Sequence, residues 1–215
     1  MRLDSVYVVG GGGHAKVVIA SLREIGYRVL GVFDDDPSKL GSTIFGIRVI
    51  GPASIIEDFS GKGQFVLAIG DNDRRRTLAD AHHKVKWVTV VHPTAYVHSS
   101  VQLGFGTVVF AGAVIQPGTV IGKHSIINTA ATVDHDCSIA DFVHLAPGSH
   151  IAGGVTVGAG SMLGIGSSVI PNRRIGAGVV VGAGAVVIND IEDGMTVVGV
   201  PARSIEDRDR GSRGE

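Results

Sequence analysis

The stretch VDHDCSI, Val133 to Ile139, sets two carboxylates, an imidazole and the chain's only thiol in succession within a run of small and aliphatic residues. An imidazole titrates near neutrality, so His135 suits the task of taking a proton from an attacking nucleophile. Asp136 beside it can orient the ring and raise its basicity, while Asp134 flanks the other side on a solvent-facing reading. Cys137 offers a second chemistry, an acyl-cysteine formed on a thiolate, against the plainer reading of a small residue in a packing slot. A second stretch, GGGGHA (Gly10–Ala15), fits the G-x-G-x-x-A form of the dinucleotide fingerprint. Its backbone N–H groups and the following helix start suit a diphosphate. The cluster Asp34 to Asp36 ends the next strand, where an acidic residue would meet ribose hydroxyls. Taken alone this pair of features reads as NAD binding, although the small unit has room for one nucleotide rather than two.

These groups must be positioned by two different kinds of backbone. In the first half, Ser5–Val9 is short and β-branched, and VVIASLREIGY has helical spacing of apolar positions. Arg28–Asp36 reads as a second strand and Gln64–Asn72 as another buried one. Asp73–His83 reads as an amphipathic helix capped by Asn72 or Asp73. Such alternation implies a small parallel sheet with crossover helices. Trp87–Ser100 is the junction, with Pro93 ending the first regime. Beyond it, every sixth residue from Val97 through Val187 is Val, Leu or Ile. That period belongs to neither helix nor ordinary strand; it fits a β-helix with about 18 residues per triangular coil, roughly five coils in all. The position two before each aliphatic is mostly small, as at Ala113, Ser125, Ser161 and Ala185, and Cys137 shares that slot. Gly104, Gly122, Gly158, Gly164, Gly176 and Gly182 directly follow the aliphatic, where a tight corner favours a residue without Cβ.

Bulk properties narrow the field. The net charge of −1 gives no electrostatic case for nucleic acid or an anionic membrane surface. With 32 glycines and 5% aromatics, the core is built from medium aliphatics at close turns. A single cysteine permits no internal disulfide and accords with a reducing compartment. No signal-peptide or membrane-span pattern is present, so the expectation is a cytoplasmic protein.

The ordered set VVGGGGHAKVV, FDDD, AIGDN, INTAATVDHDC, VHLAPG, GIGSSVIPN and VVGVPAR, from Val6 to about Arg203, resembles the hexapeptide-repeat sugar acetyltransferases. These include sialic acid O-acetyltransferases and N-acetyltransferases acting on nucleotide-linked 4-amino-sugars such as those of the bacillosamine and perosamine routes. The resemblance implies an α/β Rossmann-like domain over residues 1–90, a left-handed parallel β-helix over 91–203 and a charged tail over 204–215, expected to be disordered beyond about Arg208. It implies a homotrimer using acetyl-CoA as acyl donor and no metal. It assigns His135 as general base and Asp136 as its partner, where the family often carries the longer glutamate. His144, Gly153, Ile165 and Ala183 match positions lining the acetyl-CoA groove. Gly12, Gly13 and His14 match the loop facing diphosphate and sugar, Asp34 and Asp35 the nucleoside contacts, and Gly70 the crossover glycine. Asn128, just after the inward Ile127, can reach base or substrate across a subunit boundary. His82, His83, His92, His98, His124 and His150 read as solvated or structural.

Three classes compete. The leading one is acetyl transfer to the amino group of a nucleotide-linked amino-sugar, with O-acetylation of sialic acid as the alternative within the family. A zinc carbonic anhydrase on the same kind of rod needs converging histidines, and no two of the 9 histidines stand five residues or one coil apart. A non-catalytic NAD-sensing or scaffolding protein rests on the glycine loop alone.

Overall fold

The computed structural model describes residues 4–205; the tail expected beyond Arg208 lies outside them. Strands β1 (Ser5–Val9), β2 (Arg28–Phe33), β3 (Thr43–Ile44), β4 (Ile47–Gly51) and β5 (Gln64–Leu67) form a sheet in the order β3-β4-β2-β1-β5. The β1, β2, β4 and β5 pairings are parallel, and β3 adds an antiparallel hairpin edge. Helix α1 (Gly13–Glu24) buries Ala15, Val18, Ile19 and Leu22 against this layer. Because β2 and β5 flank β1 on opposite sides, the strand order reverses at the carboxyl end of β1, where ligands settle in open α/β sheets.

Two expected strands are shorter than the sequence suggests. β2 stops at Phe33 because Asp34 turns its carboxylate back onto the Gly11 and Asp36 N–H groups at 2.6 and 2.9 Å, competing with the ladder. β5 stops at Leu67 because the chain turns to start helix α2 (Asn72–Ala81). The cap of α2 is Asp71, which accepts from Arg74 N–H at 2.8 Å, rather than Asn72 or Asp73. Asn72 is spent elsewhere: its Nδ2 donates to Gly160 O at 2.8 Å, in the second half of the chain.

The chain passes from one architecture to the other between Trp87, which bridges to Phe65, and Val90, which pairs with Val108. From there, two-residue strands pair in parallel with partners 18 residues on, as Ile115↔Val133 and Ile121↔Ile139, until the last coil, where Val181 pairs with Val197, 16 on. They make three faces, a 6-stranded, a 5-stranded and an 8-stranded sheet, the last closed by the antiparallel pair Thr196–Val198 and Arg203–Ser204. The six-residue aliphatics point inward: Val109 through Val187 are buried, and Val97 and Leu103 on the first coil pack half-buried against the same core. At about 1.5–3 kcal/mol for each buried aliphatic, this column is the main stabilising term of the rod.

The glycines after the aliphatics serve a different purpose from the one their turn position suggests. None has a positive φ; the left-handed residue comes two positions later, at every sixth position from Gly106 to Gly184, and includes the non-glycines His124, Ala130, Asp136, Phe142 and Asn172. What forbids a Cβ after the aliphatic is the neighbouring coil. At Gly122 a Cβ would stand 2.5 Å from Asp141 N and 2.6 Å from Ala140 C. Close stacking, not backbone freedom, selects glycine there.

The two halves share a core. Val90, Val108 and Ile126, outward on the 8-stranded face, are buried beneath α1 together with Phe110. One coil further, the same outward slot holds His144, and beyond it Met162 and Val180 are exposed. His144 therefore marks the rim of the first domain's footprint. Among the described residues no helix is long and apolar enough to cross a membrane.

Gly122→Ala is expected to lower the midpoint of thermal unfolding, at an overpacking cost of about 1–3 kcal/mol. Gly12→Ala, whose Cβ would meet nothing within 4 Å, serves as the neutral comparison. Equal midpoints by circular dichroism would contradict the stacking account.

Candidate active site

The carboxyl ends of β1, β2 and β5 open onto a cavity of about 440 Å³ lined by Gly10–His14, Asp34–Asp36, Lys39, Gly70, Asp71 and Arg74. All the substrate residues expected in the first half, Gly12, Gly13, His14, Asp34, Asp35 and Gly70, meet here. Gly12 caps α1 without any side-chain hydrogen bond, so the first N–H groups of the helix are left for a ligand. The glycines that the backbone itself demands are their neighbours. Gly10 has φ +105, and a Cβ there would stand only 2.8 Å from Ala68 O; at Gly11 a Cβ would lie 2.9 Å from Asp34 Oδ2.

Asp34 is engaged within the protein: Oδ2 accepts from Gly11 N at 2.6 Å and Lys39 Nζ at 3.1 Å, and Oδ1 from Asp36 N at 2.9 Å. Burial pushes its carboxyl up, but these N–H groups and the Lys39 ammonium outweigh burial and hold it below the ordinary carboxylate value. Asp35 accepts from Ala53 N at 2.8 Å and lies 3.4 Å from Arg74 Nη2. Lys39 and Arg74 are cavity cations that sequence pattern leaves unmarked; a scattered Lys and Arg on a turn and a helix carry no spacing signal.

Behind the cavity's Gly70, His144 is fixed from both sides. Asn128 Oδ1 accepts from Thr129 N at 2.8 Å, so its amide nitrogen is the atom turned toward His144 Nε2 at 3.1 Å. Nε2 therefore accepts, and Nδ1 carries the proton that it donates to Gly70 O at 3.2 Å. Burial first, then Arg75, lowers the pKa of this ring to about 4. His14, with its ring centroid 6.4 Å away, is likewise pushed to about 4 by burial, His144 and Arg75. His124 too is buried and lowered to about 4, stacked on Phe142. These three rings stay neutral.

His135 is the opposite case. Its ring is exposed and its Nδ1–H donates to Asp136 Oδ2 at 2.8 Å, leaving Nε2 as a free lone pair. That hydrogen bond, followed by the Asp134 charge, raises its pKa above the ordinary imidazole value. The corner that carries it is braced: Thr119 Oγ1 donates to Asp134 O at 2.8 Å, and Asp134 Oδ1 accepts from His135 N at 2.8 Å. Asp136 has φ 57, the left-handed slot of its corner, which costs a non-glycine residue about 1–2 kcal/mol. The ring lies over Gly153, one coil on, where a Cβ would sit 2.7 Å from Cε1 and Nε2. Cys137 is buried and its thiol donates to Ala152 O at 3.2 Å, the role hydroxyls play at Ser125 and Ser161. Burial raises its pKa, away from a nucleophilic thiolate.

The expected residues thus fall into two groups. Asn128, Ile165 and Ala183 lie on the edge between the 8- and 6-stranded faces, adjoining the face that carries His144. His135, Asp136 and Gly153 lie on the next edge, between the 6- and 5-stranded faces. His135 does not line the cavity.

The chain is similar to several known proteins. Residues 5–81 match the family described as PglD N-terminal domain. The acetyltransferase domain of PglB from Neisseria gonorrhoeae, solved with acetyl coenzyme A, is similar at 38% identity over 94% of this chain and 100% of that one, TM-score 0.89. A histidine-to-asparagine variant of perosamine N-acetyltransferase from Caulobacter crescentus, in complex with CoA and GDP-perosamine, is similar at 42% identity over 94% of this chain and 97% of that one, TM-score 0.89. The UDP-N-acetylbacillosamine N-acetyltransferase of Bacillus subtilis aligns at 38% identity over 51% of this chain. The chain spans about half or less of the length of the curated relatives it matches, 52% in that case.

Asp136→Asn removes the carboxylate that favours the protonated ring, so the His135 titration is expected to move to lower pH. Imidazole NMR reads this directly; an unchanged midpoint would deny Asp136 its influence on the His135 ring.

Proposed function

The chain belongs to the hexapeptide-repeat sugar N-acetyltransferases, and from that membership we propose that it moves an acetyl group from acetyl-CoA to the 4-amino group of a nucleotide-linked amino-sugar. The observation that carries this reading is a nucleotide-sized cavity in the first half and a carboxylate-oriented imidazole on the rod of the same chain. A diphosphate over Gly12 and Gly13 would meet the open N-terminus of α1, with Lys39 and Arg74 adding positive charge. The sugar then extends toward His14, His144 and Asn128. A cavity of this kind favours an activated sugar over free sialic acid.

The amine attacks the thioester carbonyl: a C–N bond forms, the C–S bond breaks, and the amine proton goes to His135 Nε2. The resulting imidazolium is stabilised by Asp136 and returns the proton to the leaving thiolate. Cys137 takes no part, since its thiol is buried and hydrogen-bonded. The acyl donor suits the strip that includes exposed Met162, Val180 and Ile165, with Ala183 one coil beyond Ile165, an apolar surface that needs a cover.

Because His135 stands on a different edge from the cavity, the complete site draws on two copies. One contributes His135, Asp136 and Gly153; the other contributes the nucleotide cavity, Asn128, His144, Ile165 and Ala183. Closing that heterologous contact on itself gives the homotrimer.

His135→Ala is expected to lower turnover at least about 100-fold with assembly retained. The test is acetylation of a panel of uridine-, guanosine- and thymidine-diphosphate 4-amino-sugars, with product followed by mass spectrometry. Turnover of none of them would end this reading, and near-wild-type turnover by the alanine variant would remove His135 from it. For kcat/KM, loss of activity on the acid side should follow protonation of His135, and Asp136→Asn should carry that limb to lower pH. Sedimentation at micromolar concentration should show a trimer; a monomer would exclude the shared site.

A further inference from the structure

Arg75, on α2, is 1% exposed and heads the fully buried side chains by size. No carboxylate is among its hydrogen-bond partners. Nε donates to His124 O at 2.7 Å, and Nη2 to Phe142 O at 2.9 Å and Asn72 Oδ1 at 2.7 Å. Nη1 donates to Ile69 O and Gly70 O, both at 3.1 Å. Every N–H of the guanidinium is therefore used. His124 and Phe142 are equivalent positions on successive coils, and Asn72 Nδ2 reaches the third, Gly160, at 2.8 Å. One turn of α2 thus grips three coils, while the other side of the same guanidinium holds the loop that lines the cavity.

Asp71 acts on this cation only through space, with no carboxylate hydrogen-bonded to it; burying it so is costly, and an apolar side chain of similar volume would stabilise the domain junction at less expense. The position of Gly70 O gives the charge a purpose. That oxygen accepts from Arg75 Nη1 and also from His144 Nδ1. We propose that Arg75 is a positioning residue of the site: it fixes the Gly70 carbonyl, which with Asn128 holds His144 in the single tautomer that keeps Nε2 unprotonated. This rests on the reading of His144 as part of the acetyl-transfer site. Were Gly70 O free to swing away, the His144 proton would no longer be tied to Nδ1, and a proton on Nε2 would clash with the Asn128 amide. The hydrogen-bonding pattern offered to the reacting groups would then invert.

The test is nitrogen-15 NMR of the histidine rings in the full-length protein without ligand, with acetyl transfer measured separately. The wild type is expected to show His144 as the Nδ1–H tautomer alone. In Arg75→Lys the ammonium reaches only part of the acceptor set, so the Nε2–H form appears, and kcat falls about 100-fold, the cost of a misplaced group. A wild-type ring protonated at Nε2, or an Arg75→Lys ring with the wild-type spectrum, overturns the proposal, as does an altered tautomer with wild-type kcat. Should Arg75→Lys fail to fold, Asn72→Ala takes its place: it removes one acceptor of the guanidinium and the tether to Gly160. A shifted His144 spectrum there supports the proposal, and an unshifted one overturns it. Since the spectrum is read without substrate, a tautomer shift in a protein whose wild type acetylates no nucleotide sugar would overturn the proposed function and leave the positioning of His144 standing.

Discussion

The structure depends on coils stacking in strict 18-residue register. Each inward aliphatic sits over its counterpart one coil away, and each outer backbone N–H is satisfied by the coil beside it, as Gln116 N by Val133 O and Ser138 N by Val155 O. The register leaves no freedom at the corners. A residue after the aliphatic must be glycine wherever the next coil presses in, and three residues after the aliphatic the chain must turn left-handed. A lattice so constrained converts a sequence position into a place in space. His135, Gly153 and Asp136 are near one another because of that register.

The same rigidity explains where irregular residues appear. Most left-handed corner positions hold glycine, and Asp136 is one of the few that do not. The strain it carries is small beside the core's contribution, and it turns the carboxylate onto His135 Nδ1 without help from any flexible loop. Aspartate, shorter than the glutamate often found after this histidine, suffices because the backbone itself supplies the reach.

The inward column is legible in the sequence from Val97 to Val187, since a six-residue period has one structural meaning. So is the pairing of His135 with Asp136, which needs only adjacency. The docking of the two halves leaves a fainter trace: the outward slot that is polar at Gln102, Ser138 and Thr156 is apolar at Val90, Val108 and Ile126. Asn72 and Arg75 leave none, because they bind carbonyl oxygens, which every residue has. A cap assignment at Asn72 follows the usual preference, and it fails because Asp71 is free for that task while Asn72 has a distant one. The two readings of Cys137 are separated by the slot it shares with serines, whose bond to the carbonyl 15 residues on it reproduces.

Imidazoles close to the chemistry divide into two electrical states for opposite reasons. His135 is exposed and held by a carboxylate, so its protonated form is favoured and it is a stronger base than a free imidazole. His144 is buried and His14 half-buried, with a guanidinium nearby and no carboxylate contact, so their protonated forms are disfavoured. Asp71 offsets the Arg75 charge only through space, since no carboxylate accepts from the guanidinium. Burial, more than Arg75, keeps both rings neutral, able to accept or donate in fixed directions. A site in which all the histidines were equally basic would protonate the amine's surroundings before the base could act. On one chain His135 stands a whole edge of the rod away from His144, so the basic ring is held apart from the neutral one.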